Sequence, residues 1–108
     1  MPFIHKNLAQ GRWQELSFAE QIGNIGSELA RARSWSAKGK TQYKVTSLER
    51  ALELIDLTLE SVKTAGQRKE VARLREVVAG LYVDDSQGEK IFAGLECFYL
   101  PFALLARR

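Results

Sequence analysis

The residues best suited to chemistry are four carboxylates in one stretch and a mixed polar column in another. Glu49, Glu53, Asp56 and Glu60 follow one another at steps of four, three and four, which stacks them along one side of a helix. Stacked carboxylates are the raw material of a carboxylate-bridged metal centre or of an acid–base pair. A ferritin-like centre would add a Glu-x-x-His on facing helices, but the chain has one histidine, His5, and no such motif. No metal and no cofactor is therefore expected, and the stripe is expected to serve as counter-charge for neighbouring helices. Asp56 differs from the other three in bordering an apolar seam, where a buried carboxylate would need a donor.

The second constellation is Asn24, Glu28, Arg31 and Trp35, also one above another on a helix. With Asp56 these residues define a candidate binding face, and Glu28, Arg31 and Asp56 a candidate ligand or enzymatic cleft. The plainer reading is a surface paired within itself, Glu28 with Arg31 and Glu20 with Asn24. An alternative site, for nucleic acid, would use Arg68, Lys69, Arg73 and Arg75 with an exposed Trp35. Arg68 and Arg75 share a side of their helix while Arg73 lies nearly opposite, a poor match to a phosphate-tracking face. Cys97, the sole cysteine, has no histidine beside it and sits among Leu95, Phe98 and Tyr99, the setting of a small buried hydrophobe. No glycine-rich phosphate loop or nucleophile elbow occurs, so an enzyme is not expected.

These residues must be positioned by helices. Residues 47–63 carry Leu48, Leu52, Ile55, Leu59 and Val62 at alternating steps of four and three, the seam of a central helix, with Ala51, Leu54 and Thr58 widening it. Before it, Ser17 and Glu20 have the spacing of a capping box, opening a helix with the stripe Phe18, Ile22, Ile25, Leu29 and Ala32. A row of small residues, Ala19, Gly23, Gly26 and Ala30, runs alongside. Two glycines inside a helix cost about 1 kcal/mol each relative to alanine, which predicts close approach of another backbone. This helix should stop near Lys38-Gly39, and the central one at Thr64-Ala-Gly66.

A third helix is expected over 67–83 with Val71, Leu74, Val78 and Leu81 inward, and a fourth over 90–106 with Ile91, Leu95, Phe98 and Phe102 inward. Ser86 and Glu89 repeat the capping-box spacing before the fourth. Between Ile91 and Ala106 only Glu96 is charged, and Pro101 should kink the helix. The segment is too short and too charged near its middle for a membrane span. Its apolar excess, Phe92, Phe98, Tyr99 and Phe102, is expected to meet a second copy, as in a dimer, or another protein partner.

The chain has 108 residues, 45% of them hydrophobic, enough for one core. Residues 1–16, with the apolar Phe3, Ile4 and Trp13, read as a partly ordered leader whose aromatics Phe3 and Trp13 dock on a single domain over 17–108. Sixteen basic and thirteen acidic residues are interleaved, for a net charge of +3, which selects no partner class. A lone cysteine and no secretory signal point to the cytoplasm. The expected fold is all-α, a four-helix up-and-down antiparallel bundle. The expected function is that of a non-enzymatic interaction protein that self-associates.

The run Ser17-x-x-Glu-Gln-x-x-Asn-x-Gly-Ser-Glu28, followed by Arg31-Ala, Trp35, Lys38-Gly39 and Arg50-Ala-Leu-Glu-Leu-Ile-Asp-Leu-Thr58, resembles a family of small uncharacterised prokaryotic helical-bundle proteins over residues 17–83. That likeness implies no activity. A weaker resemblance is to the HEPN bundles found beside minimal nucleotidyltransferases, whose active members place a histidine four to six residues after an arginine near the last helix. Neither Arg75 nor Arg107 is followed by one here, so this likeness implies a non-catalytic partner role.

Overall fold

The computed structural model describes residues 11–107. The expectations placed on Phe3, Ile4 and His5, and on the rest of the leader up to residue 10, fall outside the described residues. Four helices follow a 3-10 turn at Trp13–Glu15: α1 (Phe18–Ala37), α2 (Thr41–Ser61), α3 (Ala65–Val83) and α4 (Gly88–Ala106). The fold is an all-α four-helix bundle, and no strand occurs among the described residues.

Contacts between named residues establish the antiparallel order. The start of α1 meets the end of α2, where Gln21 Nε2 donates to Ser61 Oγ (3.1 Å), and the end of α1 meets the start of α2, where Trp35 and Tyr43 stack at 4.9 Å. Asp56 pairs with Arg75 and Glu49 with Tyr82, which runs α3 against α2. Gly23 lies by Ala103 and Gly26 by Tyr99, which runs α4 against α1. Short connections make this the natural arrangement.

Local chemistry accounts for most boundaries. Ser17 and Glu20 form the capping box: Ser17 Oγ accepts from the Glu20 amide and Glu20 Oε1 accepts from the Ser17 amide. After α1, Gly39 takes φ +70°, the left-handed conformation that a glycine adopts without penalty. Two expected boundaries are corrected. Gly66 does not stop α2, which ends at Ser61; Thr64 instead caps α3 by accepting from the Gln67 amide, and Gly66 lies in the first turn of α3. Ser86 does not cap α4 either. Its amide donates to Asp84 Oδ1, and Glu89 turns to Arg33 of α1.

The core is built from Ile22, Ile25 and Leu29 of α1, Leu48, Leu54, Ile55 and Leu57 of α2, Val71, Leu74, Val78 and Leu81 of α3, and Phe92, Leu95 and Tyr99 of α4. On α4 the innermost line is thus Phe92, Leu95 and Tyr99, while Ile91, Phe98 and Phe102 pack at its margin. The rotation has a cause in α1. A β-carbon on Gly26 would stand 2.6 Å from Tyr99 Cγ, so the glycine is what admits the ring. The close approach expected at the small-residue row is therefore of two kinds, a backbone at Gly23, where a β-carbon would stand 3.3 Å from Ala103 Cα, and an aromatic ring at Gly26.

Trp13 belongs to this core. It is 1% exposed, its Nε1 donates to Thr58 Oγ1 (2.9 Å), and its carbonyl accepts from Gln21 Nε2 (3.0 Å). Thr58 in turn donates to the Leu54 carbonyl. The indole nitrogen and the Trp13 carbonyl are both paired, which makes the burial favourable. Trp13 thus docks on the bundle, as expected of it.

Candidate functional site

The acidic stripe does not converge on a centre. Asp56 is exposed and accepts from Arg75 Nε at 2.7 Å; Glu49 accepts from Tyr82 Oη at 3.1 Å; Glu60 faces solvent; Glu53 alone is buried. Asp56, expected to border the apolar seam and to need a donor if buried, is exposed and finds that donor in Arg75. Glu49 and Asp56 brace α2 against α3. The arginines of α1 go elsewhere, Arg31 to Glu28 of its own helix and Arg33 to Glu89 and Glu96 of α4. Among the described residues no group of three or more His, Cys, Asp or Glu side chains comes together.

The column on α1 is dispersed by its own partners. Asn24 Nδ2 donates to the Glu20 carbonyl one turn back, and Arg31 Nη1 to Glu28 Oε1 at 2.8 Å, the pairings that the spacing favours. Trp35 is half-buried rather than exposed, held between Tyr43 and the Lys38 ammonium, whose nitrogen lies 5.2 Å from the ring centroid. Glu28 is buried, and its Oε2 has no hydrogen-bond partner among the described residues. Asp56 pairs with Arg75 of α3 while Glu28 and Arg31 pair with each other within α1, so the three are not joined in one site.

On α3, Arg68, Lys69 and Arg73 are exposed and Arg75 is tied to Asp56. The four do not present one face, and Trp35 is on α1, covered by Tyr43. Cys97 is exposed on α4, not buried as expected. With Leu95 and Tyr99 turned inward, position 97 falls on the opposite side of the helix.

The site that sequence reasoning missed is a gap. α1 packs closely on both α2 and α4, and α2 on α3, but α3 and α4 touch only slightly. Between them runs an apolar groove of ≈ 460 Å³ lined by Leu74, Val77, Ile91, Gly94, Leu95 and Phe98, with Glu70 and Arg73 on its rim. Val77 is 43% exposed, and Gly94 has no atom within 4 Å of where a β-carbon would stand. The four residues expected at an oligomer interface divide accordingly. Phe92 and Tyr99 are buried in the chain's own core, whereas Phe98 and Phe102 stay partly open, and Leu100, Leu104 and Leu105 are about half exposed. The sequence signal for the gap was Gly94 between apolar neighbours, together with Val77 beside rather than within the α3 stripe.

Ionic contacts elsewhere fix the bundle's edges. Lys44, buried at the start of α2, donates to Asp85 Oδ2 in the α3–α4 connection and holds the Asp85 carboxyl below its ordinary value. Arg33 does the same to Glu89. Burial raises the Tyr99 phenol, which keeps it protonated at neutral pH. No described helix is long and apolar enough to cross a membrane. Comparisons with protein-family models, with curated proteins and with solved structures yield no match to the chain.

Proposed function

We propose that this chain is a non-enzymatic interaction protein that self-associates through the open α3–α4 side of its bundle. The observation that supports this reading is the groove: two helices of a four-helix bundle leave an apolar channel between them, lined by Leu74, Val77, Ile91, Leu95 and Phe98. Contiguous exposed apolar surface on a small domain marks a place where another surface sits. Glu49 and Asp56 of the acidic stripe are engaged in bracing α2 against α3, which favours a structural role for them. An exposed, unpaired Cys97 fits a reducing compartment such as the cytoplasm.

Sedimentation velocity across a wide concentration range tests the proposal. The expected result is a monomer–dimer equilibrium that Val77→Lys shifts toward monomer with unchanged helicity. A wild-type chain that stays monomeric at high concentration would remove the basis for the reading.

A further inference from the structure

The groove's rim says which partner it suits. On α3, Gly66, Glu70, Arg73 and Val77 follow at steps of four, three and four, a second stripe beside the core stripe. Glu70, Arg73 and Val77 line the open groove, and Gly66 is exposed one turn further, with no atom within 4 Å of a β-carbon position. Glu70 and Arg73 are spaced for an intrahelical pair, yet no ion pair or side-chain hydrogen bond joins them to each other or to other described residues. By contrast Arg33, Lys44 and Arg75 are all paired within the chain.

A stripe ordered small, acidic, basic, large is complementary to itself when reversed. From this we infer that the α3–α4 groove seats a second copy of the same chain across a two-fold axis that passes midway between Glu70 and Arg73 of α3. This inference rests on the self-association reading and specifies its geometry. Antiparallel apposition of the two α3 helices sets Glu70 of each copy opposite Arg73 of the other. It also sets Val77 of each copy over Gly66 of the other. The two-fold thus produces two identical charge pairs and two identical knob-over-glycine contacts, the self-complementarity that an isologous dimer requires. The flanking residues Ile91 and Phe98 are covered by the same apposition, and Gly94 leaves room for it. Steps of four and three are also those by which antiparallel helices pack side by side.

Charge reversal tests the pairing. Glu70→Arg and Arg73→Glu are both changes at exposed positions, so each variant should fold, which far-UV circular dichroism checks. Each alone puts like charges opposite each other at both pairs and is expected to weaken self-association about tenfold or more. Mixing the two variants is expected to restore association as a heterodimer, since one then offers two arginines to the other's two glutamates. The double variant Glu70→Arg/Arg73→Glu, which keeps the self-complementary order, should associate as the wild type does. If the wild type dimerises but the single reversals leave its affinity unchanged, or if the mixture fails to recover it, the two-fold assignment is overturned while self-association stands. A wild type that is monomeric at all concentrations overturns both.

Discussion

Replacing Gly26 with alanine and, separately, Gly94 with alanine makes the same chemical change at two mid-helix positions, and the structure assigns the two opposite signs. A helix interior prefers alanine to glycine by about 1 kcal/mol. At Gly94 nothing lies within 4 Å of the new β-carbon, so the preference should appear nearly whole, as a stabilisation of about 0.5–1 kcal/mol. At Gly26 the β-carbon would meet the Tyr99 ring, 2.6 Å from Cγ and closer still to Cδ1. Carbon atoms pack at about 3.5–4.0 Å, so the ring must retreat by about 1 Å. Tyr99 is only 7% exposed, and the retreat must push α4 away from α1 or leave a void beneath it. Overpacking of this order costs about 1–3 kcal/mol, which offsets the propensity gain of about 1 kcal/mol and leaves a net loss of up to about 2 kcal/mol. For a chain of this length each kcal/mol moves the melting temperature by about 4–8 °C. Thermal melts at low protein concentration, where self-association does not contribute, should therefore place the Gly94→Ala midpoint above wild type and the Gly26→Ala midpoint well below it. Adding Tyr99→Leu to Gly26→Ala should recover part of the loss. If Gly26→Ala is as stabilising as Gly94→Ala, α4 does not pack on α1 with its ring in that notch, and the rotation of α4 deduced from it is wrong.

Thr58→Val removes the acceptor of the buried Trp13 indole and should destabilise the fold by about 1–3 kcal/mol in urea titration, the penalty for a stranded buried donor. In a Trp35→Phe background, the emission of Trp13 should be blue-shifted when folded and move to the red on unfolding; a red native spectrum would contradict its burial. Asp85 is held ionised by Lys44, Glu89 by Arg33 and Glu20 by the Ser17 backbone and side chain, each below its ordinary value. The unfolded chain takes up protons at these groups first, so stability is complete above the ordinary carboxylate range and declines as pH falls through it toward the folded values. Urea midpoints measured from neutral to acidic pH should show that decline, and Asp85→Asn and Glu89→Gln should each flatten it. Asp56→Ala breaks a solvent-exposed pair with Arg75 and should cost less than about 1 kcal/mol; a much larger loss would mean that Asp56 has a role the structure does not assign it. Cys97 should react fully with Ellman's reagent in the native protein, and slow or absent labelling would place it under cover.

The helices were legible in the sequence because each buries one stripe, and the period of a stripe is a local property that any folded context preserves. Ser17, Gly39 and the α3 residues Val71, Leu74, Val78 and Leu81 all sit where spacing and capping chemistry put them. What failed were features decided between helices. α4 is apolar on nearly every side, so its own pattern could not select a phase, and Ile91, Leu95, Phe98 and Phe102 were as good a stripe as Phe92, Leu95 and Tyr99. The choice is made by Gly26 on another helix, 73 residues from the ring's own position in α4.

The candidate site was misread for the same reason. Charged residues at helical spacing say that a face is polar, not which helix it faces, so Glu49 and Asp56 were free in the sequence to serve α1 and in the structure serve α3. Glu70 and Arg73 show the converse. Their spacing alone makes them an ordinary intrahelical pair; it is the gap beside them, which neither helix encodes by itself, that leaves an acid and a base with no ion-pair partner among the described residues at opposite ends of one turn, the arrangement from which the two-fold is proposed.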